Sequence, residues 1–405
     1  MSGRTRTALL SAALCLLAVA LFDAAAFALV PQRLAVRFYP YRCTSCVPPP
    51  GEDVGDDDAP GYYAPDPELG FDIAPSRAGM SAYVDGVLYP IWSDSLRCFD
   101  TEHADLRRYV YLTGDSFTWG FTPFADKYGT ILERDLGVPV LKCGLTHSGQ
   151  RAQLAKMRRT IAATGSRPAL IVVGYYANDI ANDLTYPHTT VRAGWLVDRA
   201  VVLRHRDGIE VVRRSDADLE ALLAAARADE GQGRPGLIER LLFDVERYSL
   251  SLNIVHGLVG RAAEALTEAR AGPAGTPVEG IYRPSLWEKR GRFWYTDNPY
   301  AEPNRLALHE LKRYADELGT PLLLALIPPK QRYGQPSYYD ELKRELDADR
   351  ITYVDLAASF ARGGLPWWDL YWPLDQHLSP GGNRAVAAAL EPKMRALLSP
   401  EAARP

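Results

Sequence analysis

Tyr109-Val-Tyr-Leu-Thr-Gly114-Asp115-Ser116-Phe117-Thr118-Trp119-Gly120 decides how this chain is read. Tyr, Val and Thr favour a pleated backbone, so Tyr109–Thr113 is expected as a strand closed by Gly114. A serine straight after a strand, at the start of a helix, stands exposed where a sheet opens. Working outward, four more short apolar runs have strand character: Val138–Leu141, Ala169–Gly174, Pro321–Ile327 and Ile351–Leu356. Ala169-Leu-Ile-Val-Val-Gly174 is apolar on both faces, as a central parallel strand must be. Pro328-Pro329 stops the fourth run. Helical patterns lie between. Leu154, Met157 and Ile161 share a face, with Gly165 as the stop. Leu308, Leu311, Ala315 and Leu318 do the same, with Pro303 near the start and Gly319 just past the end. Val386, Leu390 and Leu397 mark a final helix that Pro392 is expected to kink or restart. The alternation predicts an α/β fold: a three-layer, doubly wound parallel sheet with its ligand site beyond the carboxyl ends of the strands.

The 405 residues are 47% hydrophobic and 24% charged, a mix that builds a core and excludes a disordered or collagen-like chain. Only one stretch is apolar enough to span a bilayer, which excludes a polytopic membrane protein. Forty-six Lys plus Arg against 50 Asp plus Glu leave a net charge of −4, so a nucleic-acid partner has no electrostatic support.

The chain begins with a targeting segment. Arg4 and Arg6 precede an apolar run from Ala8 to Phe22, interrupted by Asp23 and continued to Val30. A cleaved signal peptide and an uncleaved anchor both fit. Asp23 would cost an anchor about 2.5–3.5 kcal/mol at mid-bilayer, and less near the outer end where it falls. The anchor is preferred, and either reading exports the rest of the chain. Residues 1–30 are therefore expected as anchor or signal peptide, 31–67 as a linker, and 68–405 as one domain. Val47–Pro67, with Asp56-Asp57-Asp58, has linker composition, and its spacing fits no EF-hand. Cys43-x-x-Cys46 admits a disulfide, a redox pair, half a zinc site or free thiols, but no second CxxC or HxxxH supplies further zinc ligands. Residues 183–300 break the alternation and read as an inserted α+β segment. A hairpin is expected at Val201–Val212 around Asp207-Gly208, with helices around Leu219 to Leu223 and Leu237 to Val255.

Three elements at strand ends carry chemistry. The Ser116 hydroxyl is a weak nucleophile that needs a base; its bland reading is an N-cap. Gly174-Tyr175-Tyr176-Ala177-Asn178-Asp179 places an amide at the end of the most apolar strand, able to donate to a developing oxyanion; its bland reading is a turn-forming Asn-Asp pair. Asp375-Gln376-His377 puts a carboxylate where it can orient an imidazole, leaving the other ring nitrogen to take a proton; its bland reading is a surface loop. Aromatic residues crowd these elements. Trp119, Tyr176 and Trp372, with His147 at the site mouth, are candidate substrate contacts. Packing of the last loop onto the sheet is the competing explanation. The remaining histidines, His103, His188, His205, His256 and His309, lie away from these motifs.

Taken together and in this order, Gly114-Asp115-Ser116, Gly174 to Asn178-Asp179, and Asp375-x-His377 resemble the SGNH/GDSL hydrolase family. The resemblance runs from about Asp66 to the C-terminus. Asp66 to Phe71 and Ser93 to Arg97 are similar to the lead-in of exported members. Pro328-Pro329-Lys330 is similar to a segment in membrane-linked and polysaccharide-modifying members. It implies the SGNH, flavodoxin-like fold and a serine esterase with Ser116 as nucleophile, His377 as base and Asp375 orienting it. The oxyanion hole would use the Ser116 backbone N–H, the Asn178 side chain and a backbone N–H of the loop after the second strand. That loop departs from the family pattern, with Lys142 at the usual Asn position and His147 at the usual Gly position. Gly149 is the favoured donor. No metal or organic cofactor is implied. The expected partners are a small-molecule or glycan ester and, through the N-terminal segment, a membrane. An exported, single-pass location follows. An O-acetyltransferase acting on a surface glycan shares the first half of this mechanism. A tethered, non-catalytic binding protein is the third alternative.

Overall fold

The computed structural model describes residues 3–31, 61–85, 87–205, 208–232, 245–270, 276–278, 284–373 and 375–399. Cys43 and Cys46 lie outside them. The chain divides into two compact units, Met1–Gly51 with Ala225–Thr276, and Glu52–Ala224 with Pro277–Pro405. The division runs through the expected insertion.

In the larger unit, five parallel strands build the central sheet: β1 (Val110–Gly114), β2 (Val140–Lys142), β3 (Leu170–Tyr175), β4 (Leu322–Leu326) and β5 (Thr352–Asp355). Their order across the sheet is β5-β4-β3-β1-β2, so the direction of winding reverses between β1 and β3. All residues of β1, β3 and β4 are buried, which is why these segments are apolar without alternation. The helices are α1 (Ser116–Trp119), α2 (Tyr128–Leu136), α3 (Gln150–Thr164), α4 (Asp179–Thr185), α5 (Glu302–Leu318), α6 (Asp340–Ala348), α7 (Leu356–Gly363) and α8 (Pro380–Leu398). Leu154, Met157 and Ile161 of α3, Leu308 and Leu311 of α5, and Leu342 and Leu346 of α6 share a core with Tyr111, Ile171, Val173 and Leu324. The opposite face takes α2, α7 and α8, with Gly129 of α2 lying directly over Leu112. Gly165 and Gly319 end α3 and α5 in the left-handed region, as their positions in the sequence anticipate.

Pro392 does not restart the last helix, the second of the two outcomes expected of it; α8 runs through it. An interior proline costs about 3 kcal/mol. Val386, Leu390 and Met394 nevertheless form one continuous buried stripe across it, and burial of that stripe outweighs the lost hydrogen bond.

The end of the expected linker is also folded. Tyr63–Asp66 pairs antiparallel with Gly70–Ile73, and Met80–Val84 with Val87–Ile91. Tyr62, Tyr63, Phe71, Ile73 and Tyr89 bury with Trp119 and Phe121 in a second core beside α1. The expected hairpin is present, with Ala200 opposite Arg213 and His205 opposite Gly208. Leu219, Leu222 and Leu223 lie on the helix Asp216–Gln232.

A disulfide joins Cys98 to Cys143 across 45 residues of sequence. It ties the segment before β1 to the loop after β2.

In the smaller unit, the helix Gly3–Leu29 packs against the helix Leu250–Arg270. Asp23 accepts hydrogen bonds from the Ser249 hydroxyl and from the amide and hydroxyl of Ser251, at 2.6–2.9 Å. Leu10, Leu14, Leu17 and Leu21 are exposed. Among the described residues, no helix is long and apolar enough to cross a membrane.

Closing a loop of this length stabilises a fold by about 2–4 kcal/mol. A Cys98→Ala/Cys143→Ala double variant is expected to lose that amount in urea unfolding, and dithiothreitol to produce the same loss in the parent chain. Identical midpoints with and without reductant would exclude the bond.

Candidate active site

β1 and β3 run side by side with Gly114 opposite Gly174. The Thr118 side chain occupies the space above both positions, where a Cβ on either glycine would collide with its Oγ1. The chain leaves β1 through Asp115 into α1 and leaves β3 through Ala177 into α4. Ser116 and Asn178 therefore emerge at the same edge of the sheet. Both are half-buried.

Asp115 caps α1, its Oδ1 accepting the Phe117 N–H at 3.0 Å. It is fully buried, and burial raises its pKa despite that bond and the nearby His377 and His147. Capping starts the helix at Ser116 and turns the hydroxyl outward. The bland N-cap role expected for the serine thus belongs to the aspartate before it.

The third element arrives from 261 residues away. The Ser116 hydroxyl lies 2.8 Å from His377 Nε2. His377 Nδ1 lies 2.8 Å from Asp375 Oδ1, and the same oxygen accepts the His377 backbone N–H at 2.6 Å. A carboxylate facing Nδ1 selects the tautomer with its proton there, leaving the Nε2 lone pair toward the serine. Burial pushes the Asp375 carboxyl upward, but the His377 charge, its hydrogen bonds and Lys330 hold it below the usual range. Phe121 stacks on the imidazole at 4.2 Å and Phe117 tilts against it at 4.7 Å, so the ring is clamped by packing as well as by bonds. A loop closed at its base carries the pair: Trp372 N–H donates to the His377 carbonyl, and Tyr371 bridges to Leu378.

The loop after β2 extends beside β1, with Cys143 N–H on the Leu112 carbonyl and Leu145 N–H on the Gly114 carbonyl. Gly144 lies so close to α1 that a Cβ would strike the Trp119 amide. Lys142, which stands where the resemblance implies Asn, points away from this edge. Its buried ammonium binds Asp100 at 2.8 Å, Glu133 at 2.5 Å and the Val140 carbonyl at 2.8 Å. Asp100, His103 and Glu133 converge as metal-ligating groups do, but the Lys142 ammonium already engages two of the three.

Gly149 is the N-cap of α3, and a Cβ there would strike the Asp183 carboxylate. Behind it lies a buried polar network that the sequence did not single out. Asp183 accepts the Gln150 and Arg151 N–H groups and the Asn304 amide at 2.7–3.2 Å. Asp179 accepts the Gln150 amide at 2.8 Å and the Tyr176 N–H at 3.0 Å. Asn182 donates to the Ser148 carbonyl at 3.0 Å. The network locks the Ser148–Gln150 turn to the start of α4, so Gly149 and Asn178 stand on one rigid support. The Asp179–Asp183 spacing, one helical turn, was the available signal.

The aromatic candidates separate. Trp119 is 1% exposed, its indole N–H facing the Tyr62 hydroxyl at 3.3 Å, so it is core and not a substrate contact. The reason is that α1 ends in Gly120, turning Trp119 down onto Phe99 and Phe121. Tyr176 is buried and stacks on Phe117 at 3.9 Å, forming the floor beneath the reacting groups. Trp372 is half-buried, its indole donating to the Phe121 carbonyl at 2.7 Å. His147 is half-buried with φ of 51°, in the left-handed region that glycine adopts at least cost, which fits the Gly that the resemblance implies there. His188, set aside in the sequence, lies against it with ring centres 6.1 Å apart.

No family model matches the chain, and no curated protein matches it. Solved structures do. A lipase/acylhydrolase from Enterococcus faecalis is 12% identical, over 72% of this chain and 98% of its own, with a TM-score of 0.34. Axe2, an acetylxylan esterase from Geobacillus stearothermophilus, is 12% identical over 71% and 93%, with a TM-score of 0.34. TesA is 10% identical over 71% and 99%, with a TM-score of 0.36. At these scores the likeness carries no argument about activity, which rests on the residues themselves.

Burial raises the carboxyls of Asp94 and Asp183 to about 7, and raises Asp115 and Asp179 as well. The folded chain therefore holds protons that the unfolded chain has lost between about pH 4 and 7, and stability falls as pH rises through that window. His103, raised by its bond to Asp100, works in the same direction. Buried His188 and buried Lys127, both held well below their usual values, oppose them, His188 below about pH 6.5. The unfolding midpoint is expected to be higher at pH 5 than at pH 8, with Asp94→Asn flattening the slope. A midpoint climbing steadily with pH would contradict the assignment.

Proposed function

We propose that this chain is an exported serine esterase in which Ser116 attacks an acyl ester, most simply an acetyl ester. The single observation that carries the reading is the 2.8 Å approach of the Ser116 hydroxyl to His377 Nε2, continued at 2.8 Å from Nδ1 to Asp375. Ser116 Oγ bonds to the carbonyl carbon while its proton passes to Nε2. The imidazolium is held by the Asp375 carboxylate. The tetrahedral oxyanion is met by the Ser116 N–H, the Gly149 N–H and the Asn178 amide. Collapse expels the alcohol, which takes the proton from Nε2 and leaves an acyl-serine. Water then attacks with His377 again as base, the acid leaves, and Ser116 recovers its proton. Clamping of the imidazole between Phe117 and Phe121 supports this reading, because a base fixed in place needs no reorganisation at the moment of transfer.

Export is part of the proposal. The Cys98–Cys143 disulfide suits an oxidising compartment, and the basic, apolar N-terminal segment suits a tether to the membrane. His147 and Trp372, both half-buried, are the side chains this reading assigns to substrate contact.

Ser116→Ala is expected to lower kcat for p-nitrophenyl acetate by at least about 10³-fold, and Asp375→Asn by about 10⁴-fold. An organophosphonate is expected to label the parent chain once, at Ser116. Turnover by Ser116→Ala at the parent rate would sink the reading.

A further inference from the structure

β4 is followed by Ile327-Pro328-Pro329, and Lys330 opens a short helical turn, Lys330–Arg332. The fixed φ of two prolines aims the backbone without needing a hydrogen bond from either. From this ledge the Lys330 ammonium reaches three main-chain carbonyls of one loop: Trp372 at 2.5 Å, Pro373 at 2.7 Å and Asp375 at 3.1 Å. An ammonium has three N–H donors, so the set is complete. The Trp367 ring lies 4.8 Å from the nitrogen and closes the fourth side. The Tyr371 hydroxyl donates to the Pro328 carbonyl at 2.6 Å, fastening the start of the same loop to the same segment. Asp85 accepts the Asp375 N–H at 3.1 Å from the other side.

We infer that Lys330 is a positioning residue for the Asp375–His377 pair, holding the loop by its carbonyls and leaving the Asp375 carboxylate for the imidazole. This rests on the esterase reading above. The choice of acceptor is the telling feature. A lysine bonded to the Asp375 carboxylate would compete with His377 for it, whereas one bonded to the backbone fixes the loop and still contributes positive charge nearby. Remove the ammonium, and three carbonyl dipoles converge on an empty centre. They then repel one another or recruit water, and the loop relaxes. The charged groups facing the ammonium are Asp85 and Asp375. Both oppose the lowering of its pKa that burial causes, and so favour the charged form that the carbonyls require.

The test uses the full chain and p-nitrophenyl acetate, with Ser116→Ala as the reference. Lys330→Met is expected to lower kcat by about 100-fold, the scale of a displacement of about 1 Å at a reacting pair. KM should stay within about twofold, and phosphonate labelling of Ser116 should slow in proportion. Lys330→Arg, which keeps charge and donors, is expected to recover at least about tenfold of that loss. Should the Met variant fail to fold, Lys330→Gln is read by the same split between kcat and KM. A kcat near the parent value in Lys330→Met, or a rise in KM with kcat unchanged, overturns the inference. If Ser116→Ala itself retains parent activity, the esterase reading has failed. If Ser116→Ala is inactive while Lys330→Met is not, only the positioning role has.

Discussion

The side-by-side pairing of Gly114 and Gly174 is the constraint on which the rest depends. Two adjacent parallel strands normally fill the space above their ends with side chains. Here both positions lack a Cβ, and Thr118 fills the gap, its hydroxyl accepting from Tyr128 at 2.8 Å. That single substitution of one threonine for two side chains lets α1 turn back tightly over the sheet. It brings the serine to the edge where the Asn178 segment also emerges. Neither residue's placement needs the other's chemistry; both follow from backbone proximity.

Around that edge the protein accumulates buried carboxyl groups. Asp115, Asp179 and Asp183 are each fully buried, and each serves backbone or amide donors. Desolvation makes such groups costly, and a carboxyl there is tolerated because N–H donors converge on it. The result is a stiff support. Helix starts that would otherwise be free to shift are pinned by side chains from neighbouring elements. Asn304 of α5 joins Asp183 to Gln150 across 154 residues of sequence. Asp375, by contrast, sits on a loop and keeps its charge through its contacts with His377 and Lys330.

Much of this was legible from residue order alone. The five strands lie within two residues of where their apolar runs end; for β1 to β4 the reason is burial on both faces, a signature that packing cannot mask, whereas β5 is half-buried throughout. Gly165 and Gly319 close their helices because only a residue without a Cβ takes that conformation at no cost. Ser116 and Asn178 were visible as strand-end residues; the Asp375–His377 pair, read the same way, instead lies on the loop before α8, with α7 and a further helical turn between it and β5. Less visible was whatever depends on partners far along the chain. Nothing near Trp119 signals that Tyr62 will cover it. Nothing near Cys98 signals Cys143 rather than the closely spaced Cys43 and Cys46, which lie outside the described residues. Local rules also overstated Pro392, because a rule about one hydrogen bond does not weigh the buried stripe on either side of it.

Asp23 ties the start of the chain to a helix far along it. Its carboxylate is held by Ser249 and Ser251, 226 and 228 positions downstream, at the start of the helix Leu250–Arg270. Ala26 and Leu250 bury against each other beside it. Without Asp23 and Ala26 the helix Leu250–Arg270 would lose the carboxylate at its start, and Leu250 the side chain it buries against. Asp23 and Ala26 are thus structural parts of this unit, whatever else the segment that carries them does.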